Sequence, residues 1–320
     1  MAEETKKKKK WPIFLGIGIG TTILTPALAI GGCALLLLNA ANEQMAPENY
    51  TETVKTGGNI EAHYLKNGTY EVSYYEKEVK EDYKKFEIYY PKELETSSKT
   101  YPLIVFLNGT GVKASRYTAQ FKHYASWGFI AIGTEEEESW DAVAADASLA
   151  YLLEENDNTN SIFYKKIDFN NVGAIGHSQG GAGVFNAITE MEHSSIYKTA
   201  VSLSPTHEEL ANNLGWHYDL TKINIPLLML AGTKGDFETK SVIPLEKMEE
   251  MYNKISSPKA MARRKEAEHG HMLYSADGYA TSWFMWKLQS DTKASDGFIG
   301  EEELLNNSLY SDQKIDLQCL

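Results

Sequence analysis

The chain has 320 residues, with 44 Asp and Glu against 31 Lys and Arg, a formal net charge of −13 and only two cysteines. The excess of negative charge argues against nucleic acid as a partner, and two cysteines cannot build a disulfide scaffold. Hydrophobic residues make up 42% of the chain, enough for a domain held together by its core.

The N-terminus reads as a membrane signal. Lys6 to Lys10 are followed by a stretch, Trp11 to Leu38, with no Asp, Glu, Lys or Arg. As a helix it would extend about 42 Å, more than the ~30 Å hydrocarbon core of a bilayer needs. The expected organisation is a cytoplasmic basic tail over 1–10, a transmembrane signal anchor over 11–38, a polar stalk over 39–60 and a catalytic domain over 61–320. A cleaved secretory signal and a lipoprotein signal compete with the anchor, since Ile30-Gly31-Gly32-Cys33 resembles a bacterial lipobox. The apolar run continues through Ala34 to Leu38, beyond that cysteine, which favours the anchor. Under each reading the basic flank leaves the catalytic domain outside the cytoplasm, at the cell surface. Without the first 38 residues the chain carries 26 basic and 42 acidic residues, a net charge of −16, which suits neutral or cationic substrates.

Tyr70 to Val79 and Tyr83 to Tyr90, rich in Tyr, Val and Ile with partial alternation, predict an antiparallel hairpin. Leu103 to Leu107 and Phe129 to Ile132 are short apolar runs separated by a helical stretch, Tyr117 to Ser126, as in buried parallel strands. A long helix is expected over Asp141 to Glu155, with Asp141 at its start. A strand at Val172 leads to Ser178. Further strands are expected at Thr199 to Leu203, Pro226 to Ala231 and Ala260 to Glu266, alternating with helices at Pro244 to Lys254 and Tyr279 to Leu288. The alternation specifies an α/β fold with a mostly parallel, eight-stranded sheet flanked by helices, whose fifth core element ends at Ser178.

Gly176-His177-Ser178-Gln179-Gly180 has the strand, sharp turn and helix context of a G-x-S-x-G nucleophile elbow, with glycines flanking a crowded turn. A serine hydroxyl needs a histidine to take its proton and a carboxylate to orient that histidine. Asp236, just past the apolar run Leu227 to Leu230, is the expected acid, and Glu238, two residues on, is the alternative. His269, at the end of the last core strand, is the expected base. His271 is placed towards the rim. The His-x-His pair lacks further ligands at metal-binding spacing. The oxyanion formed on attack needs two backbone donors: the amide of Gln179, after the serine, and that of Thr110, in the turn Asn108-Gly109-Thr110-Gly111. The four glutamates from Glu135 to Glu138 read as a solvated loop.

Together these residues resemble the cutinase, polyester hydrolase and dienelactone-hydrolase-like branch of the α/β-hydrolase superfamily, over about Leu103 to Leu288. The resemblance rests on Asn108-Gly109-Thr110, on His177 to Ala182, on Trp127-Gly128-Phe129, and on Trp283 to Leu288 after His269. It implies the α/β-hydrolase fold and hydrolysis of carboxylic esters, with small or medium neutral esters as the expected substrates, through an acyl-enzyme on Ser178, with no cofactor. The chain has Thr110 where those cutinases usually have an aromatic residue that clamps a flat or polymeric substrate, and it cannot form their C-terminal disulfide. By the same resemblance Trp140 lines the acyl cleft, with a core position as the alternative. Other readings of the same residues are a serine peptidase or acyltransferase, and a membrane-tethered pseudo-hydrolase that binds without turnover.

Overall fold

A computed structural model describes residues 43–300 and 303–318. The basic tail, the expected anchor, Cys33 and Cys319 therefore lie outside the described residues. Among the described residues, no helix is long and apolar enough to cross a membrane.

Nine strands form one sheet: β1 (Val72–Glu78), β2 (Lys85–Pro91), β3 (Tyr101–Leu107), β4 (Ile130–Thr134), β5 (Ile167–His177), β6 (Tyr197–Leu203), β7 (Leu227–Gly232), β8 (Lys259–Arg264) and β9 (Tyr310–Asp316). Their spatial order is β1-β2-β4-β3-β5-β6-β7-β8-β9. The six strands from β4 to β8 in that order run parallel. The front hairpin joins them antiparallel through β2 and β4. The expected count of eight is one short, because β9 pairs antiparallel with β8 at the far edge. Tyr-Ser-Asp-Gln-Lys-Ile-Asp is too polar to read as a buried strand, and most of β9 is half-buried, as an edge strand permits.

The helices are α1 (Tyr50–Thr53), α2 (Asn59–Leu65), α3 (Thr118–Ser126), α4 (Val143–Asp157), α5 (Gln179–Thr189), α6 (Glu208–Leu214), α7 (Leu245–Lys254), α8 (Met272–Ser275), α9 (Asp277–Gln289) and α10 (Thr292–Ile299). Side chains alternate across a strand, so β3 serves both cores at once. Leu103, Val105 and Leu107 pack with Leu149 and Leu152 of α4 and with Val184 and Phe185 of α5. Ile104 and Phe106 pack with Phe121 and Tyr124 of α3 and with Trp283 and Phe284 of α9. A sheet covered on both faces needs strands that are apolar on both sides, which explains the apolar runs in β3 (Leu103 to Leu107), in the second half of β5 and in β7.

The expected stalk does not stand clear of the domain. From residue 43 the chain is bound to it: the Met45 amide donates to Arg116 O at 2.9 Å, Ala46 and Tyr50 are buried, and the Tyr50 hydroxyl donates to the Asp277 carboxylate. Glu61, 1% exposed, receives the Gly57 amide at 2.7 Å, the Tyr310 hydroxyl at 2.7 Å and the Asn307 amide at 2.9 Å, and pairs with Arg264 at 3.3 Å. These bonds tie the N-terminal segment to β8 and β9.

Open α/β sheets place ligands at the carboxyl ends of their strands, where the connections diverge. Here β3 lies between β4 and β5, so the turn after β3 and the turn after β5 face each other at that end of the sheet.

Candidate active site

Strand β5 ends at His177, and α5 begins at Gln179. Ser178 joins them with φ 60° and ψ −119°, a conformation that a non-glycine residue holds only when its surroundings impose it. Its amide donates to Leu203 O at 2.9 Å, and its carbonyl receives the Ala182 amide at 3.1 Å. The flanking glycines answer a steric demand. A Cβ on Gly176 would lie 2.2 Å from Gly180 O, and one on Gly180 would lie 2.1 Å from Leu107 O. Ser178 is left half-buried at the top of the sheet, over the amino end of α5, whose first amides have no partner within the helix.

Opposite stands the turn after β3. Asn108 is 1% exposed, and its side-chain amide donates to Thr134 O at 2.7 Å and Glu136 O at 2.8 Å, fixing the start of the turn. The Gly109 amide donates to the Tyr117 hydroxyl at 2.9 Å, and the Gly111 amide donates to Glu137 O at 2.8 Å. Thr110 lies between them, exposed. The acidic run is only partly the solvated loop expected. Glu135 accepts from the Ser115 amide at 2.8 Å and hydroxyl at 3.0 Å, and Glu136 is buried.

The histidine loop follows β8. His269 Nδ1 donates to Glu238 Oε2 at 2.6 Å, leaving Nε2 as the nitrogen free to take a proton. Glu238 is fully buried, and its other oxygen accepts from the Ser204 hydroxyl and the Gly232 amide, each at 2.6 Å. Burial alone would raise the pKa of this carboxyl, but the His269, Ser204 and Gly232 donors outweigh it and hold the group below its ordinary value. The carboxylate that meets His269 is thus Glu238, and not Asp236. Asp236 points into solvent, its side chain 82% exposed, and pairs with Lys240 at 2.8 Å. The reason is local geometry. Phe237 to Val242 form a wide π-helical turn that carries position 238 inward and leaves Asp236 and Lys240, four residues apart, on the outside.

His177 fastens the two loops together. It is 4% exposed, its ring lies 4.5 Å from that of His269, and its Nε2 donates to His269 O at 2.9 Å. Burial and the adjoining His269 push its pKa down to about 3, so it stays neutral. His271 is exposed and turned towards Tyr274.

Two neighbours escaped the sequence reading. Ser204, one residue past β6, steadies the buried carboxylate. Phe237, adjacent to that carboxylate and 61% exposed, sets its ring edge-to-face on His269 at 4.9 Å. An aromatic residue beside a candidate acid was the available signal for the second. Trp140 is half-buried, and its carbonyl is held by the Asn186 side chain at 2.9 Å. Ser178, Gln179, the turn bearing Thr110, His269 and Glu238 thus gather at the carboxyl ends of adjoining strands, and Asp236 does not join them.

The chain is similar to proteins of one known family. Residues 50–314 match the PETase family, described as PET hydrolase-like. The chain is also similar to cutinase est2 of Thermobifida alba, 26% identical over 216 residues, which are 64% of this chain and 65% of that protein. The chain thus matches slightly less than two thirds of that relative's length.

Proposed function

The chain belongs to the PET hydrolase-like family within the α/β-hydrolase superfamily, and from that premise we propose that it is a serine carboxylic ester hydrolase with Ser178 as nucleophile, His269 as base and Glu238 as acid. The observation that carries the reading is the 2.6 Å bond from His269 Nδ1 to a fully buried carboxylate, on the loop that His177 fastens to the serine's own turn.

The chemistry follows from these positions. Ser178 Oγ attacks the ester carbonyl while its proton passes to His269 Nε2. The ionised Glu238 offsets the charge of the imidazolium and keeps its ring in register. Negative charge on the former carbonyl oxygen is met by the Gln179 and Thr110 amides, with the amino end of α5 adding a favourable field. The protonated histidine then returns its proton to the leaving alcohol. Water, deprotonated by the same nitrogen, attacks the acyl-enzyme and releases the acid.

Small or medium neutral esters are the substrate class this reading favours. Thr110 offers no ring to clamp an extended polymer, the exposed Phe237 supplies one apolar contact at the mouth, and the acidic surface disfavours anions. The charge-free stretch after five lysines supports a tether through residues 11–38, with catalysis outside the cytoplasm.

The test is hydrolysis of p-nitrophenyl esters from acetate to palmitate, with Ser178→Ala as control and a fluorophosphonate label as active-site probe. Turnover and labelling are expected in the wild type and absent from the variant. Folded wild-type protein that neither turns over ester nor takes the label would replace the enzyme with a binding module.

A further inference from the structure

Beneath the elbow lies a pocket with ≈ 10 Å³ of free space for a water-sized sphere, bounded by Leu107, Tyr117, Gln120, His177 and Leu273 among others. Its walls are mostly apolar, yet three polar groups there lack a complete set of bonds. Gln120 is 2% exposed; its Nε2 donates to Leu273 O at 3.4 Å, while its buried Oε1 has no protein partner. The Tyr117 hydroxyl accepts the Gly109 amide at 2.9 Å, and among the described residues nothing receives its own proton. His177 spends its Nε2 proton on His269 O, so its Nδ1 is left as a lone-pair acceptor. These last two atoms lie within about 7 Å of each other, since a Cβ on Gly109 would lie 3.4 Å from Tyr117 Oη and 3.5 Å from His177 Nδ1, and both residues line the pocket. The Tyr124 hydroxyl, also on the wall, is committed to Asp277.

We propose that this pocket binds one structural water, which accepts the Tyr117 hydroxyl proton and donates its two protons to Gln120 Oε1 and His177 Nδ1. The space is about what one water requires, and three bonds is the usual complement of a buried water. Each group on the wall gains the partner it lacks, and none is asked to donate and accept with the same electron pair. The water closes a chain of hydrogen bonds from the Gly109 amide through Tyr117 to His177, and from His177 Nε2 to His269 O. It therefore joins the turn carrying the oxyanion donor to the loop carrying the base, from the side away from substrate. Gln120, remote from the reacting atoms, is a positioning residue. This catalytic consequence rests on the proposed serine hydrolase reading, whereas the water site itself does not.

Two measurements separate them. A high-resolution crystal structure of the protein is expected to contain an ordered water within hydrogen-bonding distance of both Gln120 Oε1 and His177 Nδ1. A dry pocket, or a Gln120 side chain rotated to pair directly with protein, overturns the proposal. For the coupling, Gln120→Met is expected to lower kcat for p-nitrophenyl butyrate by about 5–20-fold with KM within about twofold, as lost positioning requires. Gln120→Glu keeps both bonds in its neutral, buried form and is expected to restore most of the rate. Thermal melts of both variants establish that the protein tested is folded. If folded Gln120→Met lacks the water and keeps its kcat, the positioning role is refuted. If the wild type turns over no ester but holds the water, the hydrolase reading fails and the site stands.

Discussion

A carboxylate with no exposed surface persists only where donors surround it, and Glu238 has three, from His269, Ser204 and Gly232. Glu238→Gln keeps the shape but presents an amide to His269 and favours the wrong tautomer. It is expected to reduce kcat by about 10³–10⁴-fold, whereas Asp236→Asn, on the surface, should leave kcat within about twofold; equal losses in steady-state assays would contradict the assignment. The turn at Ser178 and the loop at His269 were legible because each lies in a short local pattern. The carboxylate that bonds His269 was not, because two carboxylates two residues apart exchange places according to how one turn is wound, and a π-helical turn leaves no clear pattern in sequence. His177 carries a prediction of its own. Its folded pKa of about 3 lies below the ~6.5 of a free imidazole, so at intermediate pH the unfolded chain binds a proton that the folded chain does not. Its stabilising contribution is complete above about pH 6.5 and is lost as pH falls towards 3, at roughly 1.4 kcal/mol per unit. His177→Phe is expected to flatten that slope in urea melts followed across the window, and an unchanged slope would assign the effect to other groups.

At the scale of elements, the segment before β1 behaves as a strap. It reaches Arg116, beside Tyr117 whose hydroxyl holds the turn after β3, through Met45; it reaches the start of α9 through Tyr50, whose ring also lies 5.9 Å from that of Tyr274, just past the histidine loop. It ends in the buried pair of Glu61 and Arg264. Removing one member of such a pair typically costs about 3–5 kcal/mol. A chain beginning at residue 61 would keep Glu61 but lose Gly57, Tyr50 and Met45, and it is expected to unfold at distinctly lower urea than a chain beginning at residue 43. Coincident midpoints would return the segment to the status of a stalk. Composition concealed both this strap and β9: each is polar along most of its length and is held by a few buried side chains, Tyr50, Glu61 and Tyr310, rather than by an apolar stripe. The inner strands were readable because burial on two faces demands a continuous apolar run.

At the scale of the whole molecule, residues 39–320 carry a net charge of −16, and charge of one sign acts on approach to a surface before any specific contact forms. Initial rates on an ester dispersed in cationic vesicles are expected to exceed those in anionic vesicles, and about 1 M salt, which shortens the screening length to about 3 Å, should remove most of the difference. A preference that survives that salt would point to specific contacts. The arrangement of exposure around the site has a further consequence. Thr110, Phe237 and Lys240 at the rim are open to solvent, whereas Glu238, Ser204, His177 and Asn108 beneath them are buried. Substitution acts on these two tiers differently: a change below disturbs several buried hydrogen bonds at once, while the rim can be exchanged one residue at a time without leaving a buried group unpaired.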